Sequence, residues 1–345
     1  MGLCFSRGDR STAKRRQSRR ITNHSAAGDG GVGSNRWSRI RSSRKEENII
    51  HERALAAAIL FQQQLQRRRN GGDIKIESLE TNHFVLVHGG GFGAWCWYKT
   101  IALLEEAGYK VTAVDLTGSG IHSSDTNSIT SLSQYVKPLT DILEKLADVE
   151  KVILVGHDFG GACISYAMEL FPSKVSKAVF LAAAMLTSGQ SALDMFSEKV
   201  ESNDLMRQAQ VFLYANGNNQ SPTAIDFDKS LLRDLLFNQS PSKDVALASV
   251  SMRPIPFSPV LEKLSLSETN HGSVRRFYIE TLEDNAIPIV VQESMVNKSP
   301  PERVFHLKAP LFPTVLLTSS EHCGGLSQQD LNCIKDAVPD DLAFI

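Results

Sequence analysis

The sequence predicts an α/β fold, a mostly parallel sheet with helices on both faces, and three observations predict it. Short apolar, β-branched runs alternate with stretches of helical spacing from residue 74 onward. Strand ends run into glycine-rich turns that open helices. The chain has 345 residues, 42% hydrophobic and 22% charged, which suits a soluble fold of this class with additions, since one such domain often uses about 250.

The elements follow in order. His83–His88 is a short buried strand that stops at glycines, and Ala94–Ala107 is a helix stopped by Gly108. Lys110–Asp115 is the second strand and Leu132–Leu146 the next helix. Lys151–Val155 is a strand, Phe159–Phe171 a helix ended by Pro172, and Val175–Ala182 a fourth strand. Residues 187–270 break the alternation. They read as a small, mostly helical cap with prolines at Pro254, Pro256 and Pro259, inserted over the carboxyl edge of the sheet. The alternation resumes with strand Ser273–Glu280, helix Ile287–Val296 and strand Glu302–Leu307.

The formal net charge of −1 hides a split. Residues 1–45 hold 12 Lys/Arg against two Asp/Glu, and the other 300 hold 25 against 36. An acidic body excludes a nucleic-acid partner, which would draw positive charge onto the fold itself. No apolar run reaches the ~18 residues of a membrane span. The five cysteines are odd in number and unpaired in spacing, which excludes a disulfide framework and a zinc site.

Residues 1–73 read as a basic, disordered targeting or anchoring region with a linker helix, too poor in apolar residues to build a core. Two addresses compete. An Arg- and Ser-rich, acid-poor start matches a transit peptide, hence a chloroplast location. Gly2 with Ser6 fits N-myristoylation, Cys4 is placed for palmitoylation, and a basic stretch follows, hence peripheral membrane anchoring in the cytoplasm.

Gly156, His157, Asp158, Phe159 and Gly160 lie between an apolar strand and a helix. This is the strand–turn–helix elbow that lifts its central residue, here Asp158, above the sheet edge. The backbone N–H after the central residue, that of Phe159, then faces the reacting oxygen. The glycine loop after His88 supplies a second, from Gly90. One such donor is worth about 3–4 kcal/mol in a transition state. His88, at a strand end, and His157, beside the elbow, are expected to support the site rather than react.

With these motifs the chain resembles the plant methylesterases of the α/β-hydrolase superfamily. The matching text is FVLVHGGGFGAWCWYK at Phe84–Lys99, VDLTGSG at Val114–Gly120, SLSQYVKPL at Ser131–Leu139, GHDFGG at Gly156–Gly161 and YIETLEDNAIP at Tyr278–Pro288. The resemblance spans residues 80–308. It implies an α/β-hydrolase domain over 74–308, hydrolysis of small methyl esters such as those of salicylate, jasmonate or indole-3-acetate, and no cofactor. It places the acid of the catalytic triad on Asp284.

The sequence departs from the family pattern at two points. The family's nucleophile is Ser and this chain has Asp158; the family's His segment after the last strand is absent, and 309–345 form a divergent tail. His306 and His322 are poor substitutes by position, and Asp284 without a histidine is reduced to an exposed or capping carboxylate. A carboxylate attacking an ester would form an anhydride while expelling a far more basic alkoxide. Asp nucleophiles at this elbow suit displacement at saturated carbon, as in epoxide hydrolases. Those need cap tyrosines, and residues 187–270 hold only Tyr214. Three readings follow: a weak or inactive methyl-ester hydrolase, a non-catalytic binder of a small hydrophobic ester or hormone-like ligand, and an epoxide-hydrolase-like enzyme.

Overall fold

Strand β1 (His83–Val87) lies between β2 (Lys110–Val114) and β3 (Val152–Asp158), and the sheet continues through β4 (Val175–Ala183), β8 (Arg275–Thr281) and β9 (Arg303–Leu307). All five pairings are parallel. The structure, a computed structural model, describes residues 81–196 and 204–308. The expectations for the targeting region with Gly2 and Cys4, the linker helix and the tail 309–345 therefore lie outside the described residues.

Every residue of β1 and β4 is buried, as in a parallel sheet covered on both faces. The covering helices are α1 (Tyr98–Glu106), α2 (Leu132–Lys145), α3 (Gly160–Leu170) and α8 (Ile289–Lys298). Two helix starts differ from the sequence reading for local reasons. Ala94–Trp97 is a tight 3-10 turn ahead of α1, and Pro288, extended at φ −53° and ψ 148°, holds off α8 until Ile289. Strand β3 runs three residues further than its apolar stretch and ends on Asp158 itself. Tyr278 of β8 stacks on Phe180 of β4. Its hydroxyl donates to the carbonyl of Ala183 and accepts from that residue's N–H.

The cap corrects one expectation. Besides the short helices α4 (Asp204–Ala209), α5 (Leu232–Leu236), α6 (Ser242–Ser251) and α7 (Phe257–Leu261), it holds a three-stranded antiparallel sheet. Its strands are β5 (Gln210–Leu213), β6 (Ala224–Phe227) and β7 (Ile255–Pro256), in that order. Strands of two to four residues carry too little periodicity to read. Pro256 is tolerated because β7 is an edge strand.

Two polar ties fasten the cap to the body. Asp244, fully buried, accepts from the Tyr98 hydroxyl and the Lys99 ammonium, each at 2.7 Å. The Arg253 guanidinium donates to the carbonyls of Gly120, His122 and Ser124, and its backbone N–H donates to the carbonyl of Gly91. That second tie also holds the glycine loop that follows β1.

Candidate active site

The strand order reverses direction between β1 and β3, the position where open parallel sheets place their ligand crevice. The site is built there. Asp158 sits at φ 49°, in the left-handed region that is costly for a side-chain-bearing residue. The pairing of β3 with β4 shifts between His157 and Asp158. The glycines on either side are required by close approach. A Cβ on Gly160 would come within 2.6 Å of the Val87 carbonyl oxygen and 2.7 Å of that of His88, and one on Gly156 within 2.8 Å of the Gly160 carbonyl oxygen. The ring of Phe159 stacks on Tyr135 of α2, with centroids 5.6 Å apart, which fixes the elbow against the body.

Both backbone donors expected at the reacting oxygen are spent on the elbow's own side chain. The N–H of Gly90 donates to Asp158 Oδ2 at 2.8 Å, and the N–H of Phe159 also hydrogen-bonds this carboxylate. A Cβ on Gly89 would lie 2.5 Å from the same Oδ2. The carboxylate is thus seated on the Gly89–Gly90 backbone where a substrate oxygen would go. Burial pushes its pKa up to about 6, against the opposing pull of the two N–H groups.

Asp284 follows β8 and is buried, which overturns the exposed alternative. It accepts from the N–H groups of Ala286 and Ile287 and from the Thr281 hydroxyl. Burial raises its pKa to about 7, and the Asp158 charge adds to the rise. No histidine among the described residues hydrogen-bonds either aspartate. His88 is fully buried. Its Nε2 accepts from the Leu116 N–H, so Nδ1 carries the proton and donates to the Gly89 carbonyl at 2.7 Å. Burial lowers its pKa to about 4, so the ring stays neutral and braces the glycine loop. His157 packs edge-on against Phe92 and Trp97. His306 pairs with Glu280 across β8 and β9, its side chain 62% exposed.

Above Asp158 lies a cavity of about 160 Å³. Asp158 is the one ionisable residue among its described lining residues, and Gln210 the one other polar side chain. Phe212, Ile225 and Phe227 from the cap sheet, with Ile255 and Phe257, form much of the wall. Sequence reading missed these residues. They lie apart in the chain, between 212 and 257, among many other apolar residues, and only the fold gathers them.

Residues 82–307 match the family model of the alpha/beta hydrolase fold. The class of the protein is thereby set by fold, elbow and family model together. Relatives narrow it. Arabidopsis thaliana "Putative methylesterase 11, chloroplastic" is 78% identical over 243 residues, covering 69% of this chain and 62% of its own length. "Methylesterase 18" of the same plant is 36% identical, covering 72% of this chain and 94% of its own. The crystal structure of polyneuridine aldehyde esterase superposes with a TM-score of 0.63 at 32% identity, over 69% of this chain and 94% of that one. The chain belongs to the methylesterases of the α/β-hydrolase superfamily, whose members are carboxylic ester hydrolases. It spans less than two thirds of the length of methylesterase 11.

Proposed function

We propose that this chain binds a small hydrophobic ester or hormone-like molecule in the cavity above Asp158 and hydrolyses methyl esters slowly or not at all. One observation carries the reading: the Gly90 N–H and the Phe159 N–H both hold the Asp158 carboxylate. An ester carbonyl would need those donors as it becomes tetrahedral. The carboxylate that fills them is also a poor starting point for ester cleavage, since the mixed anhydride it would form lies uphill of an ordinary ester. The missing His segment removes the base that would activate water.

Two experiments on the full chain test this. Methanol release is followed with methyl indole-3-acetate, methyl jasmonate and methyl salicylate, and binding of the same esters is followed by calorimetry. The expected outcome is saturable binding with no methanol above buffer. Sustained turnover at the rate of a methylesterase with a Ser nucleophile would overturn it.

The epoxide-hydrolase-like reading has a suitable nucleophile, but no tyrosine is among the described residues lining the cavity. Absence of heavy-oxygen label in Asp158 after incubation with an epoxide in labelled water would remove it. The names of close relatives support a chloroplast location over N-terminal acylation.

A further inference from the structure

We propose that Asp158 inverts the charge preference of the cavity: among small hydrophobic ligands it retains those ending in an ammonium group or another hydrogen-bond donor, and it excludes carboxylates. The proposal rests on the ligand-binding reading above and names the chemistry of the ligand's polar end.

Three features lead to it. The first is how the donors are used. With a hydroxyl at the elbow, the Gly90 and Phe159 N–H groups would be open to an incoming carbonyl or carboxylate oxygen. Here they are satisfied within the chain, so the ligand meets no free donor at that point. The second is what the carboxylate still offers. An ionised carboxylate is purely an acceptor, with about four lone-pair sites. Two are taken by the backbone. Asp158 keeps partly open surface, lines the cavity and so presents its remaining acceptor capacity to it.

The third is the absence of a lysine or arginine among the described residues lining the cavity. Besides the neighbouring His157, the titratable groups near Asp158 include His88, Asp284 beyond β8, Tyr135 on α2, Cys163 on α3 and Tyr278 on β8. Burial keeps His88, Tyr135, Cys163 and Tyr278 neutral near neutral pH, and Asp284 is neutral or anionic there. The rest of the described wall is apolar apart from Gln210. With two backbone hydrogen bonds and no lysine or arginine among the described lining residues, this half-buried carboxylate is completed by a cationic or donor group that the ligand brings. A second carboxylate would meet like charge in a mostly apolar cavity.

Matched indole ligands separate the effects: tryptamine, methyl indole-3-acetate and indole-3-acetate share a ring and differ at the polar end. Calorimetric titration of the full chain is run at pH 8 and pH 5. An alkylammonium stays charged at both, its pKa being near about 10 as for lysine. Asp158 is ionised at the first and mostly protonated at the second. Tryptamine is expected to bind at least about tenfold more tightly than indole-3-acetate at pH 8, and to lose most of that preference at pH 5. Asp158→Asn, which keeps size and shape, is expected to erase the preference at pH 8.

Indole-3-acetate binding as tightly as tryptamine at pH 8, with the ester also bound, overturns the charge preference and leaves the ligand-binding reading standing. Tryptamine binding without the ester overturns the ester part of that reading and supports the inference. A tryptamine preference that survives in Asp158→Asn assigns the selection to another group and overturns the role given to Asp158. No binding of any of the three overturns both.

Discussion

A serine in the place of Asp158 would leave the N–H groups of Gly90 and Phe159 open to a substrate oxygen, whereas the carboxylate closes them. Asp158→Ser is therefore expected to bring methanol release above the buffer background, restored oxyanion donors being worth on the order of 10²-fold. It should still fall well short of a complete Ser–His pair, because the base is not restored. An unchanged rate would show that the two donors are not what limits the site. The same carboxylate carries a stability signature. Its folded pKa of about 6 lies above the ordinary aspartate value of 3.8, so the folded state holds the proton more tightly. The cost of ionising it is imposed as pH rises from about 4 to 6 and is complete above that. Asp158→Asn removes the charge. It should stabilise the fold by about 1–3 kcal/mol at pH 8 and by less than half of that at pH 4, read from denaturant midpoints.

Each of the main elements has one or two residues that fasten it. The elbow is held by two glycines that allow β1 and α3 to approach, and by the Phe159–Tyr135 stack. The glycine loop after β1 is held below by neutral His88 and above by the backbone of Arg253. The cap is held to α1 by Asp244, whose buried carboxylate meets Lys99 and Tyr98. Removing one partner of such a pair leaves a desolvated charge behind, which costs more than the pair contributes. Asp244→Ala should lower unfolding free energy by about 2–4 kcal/mol, and Asp244→Asn by less, since the amide still accepts from the tyrosine. Equal midpoints for the Ala variant and the original chain would show that the tie is not structural. The main-sheet strands and covering helices were legible in the sequence because their periodicity runs over five residues or more. The cap strands were not, because four residues or fewer, one a proline, carry no readable alternation.

At the scale of the molecule, the near-zero net charge is the sum of a basic N-terminal stretch and an acidic remainder. The remainder carries the hydrolase fold over residues 82–307. No described helix is long and apolar enough to cross a membrane. With a plastid address, a tagged full-length chain expressed in leaf cells should enter chloroplasts and yield a mature mass that has lost Gly2 and the basic stretch. Intact mass spectrometry checks this, and recovery of an acylated Gly2 at the membrane would overturn the plastid address in favour of the anchor. The site itself lies where strand order reverses, so its place is a property of the whole sheet.

The sequence by itself determined the order of the main-sheet strands and their covering helices, the glycine-flanked elbow and the aspartate at its centre. All of these are local patterns, readable within a few residues of one another. Only the tertiary structure decided what the aspartate does with its carboxylate. That depends on Gly90, 68 residues away in the chain, and on a cavity walled by cap strands that follow it. The same holds for Asp284, which the resemblance makes the acid of the triad and which, without a histidine, reads as an exposed or capping carboxylate; the fold buries it. The physical reason is common to both. Desolvation and backbone hydrogen bonds set the chemistry of a carboxylate, and both depend on segments that only folding brings together.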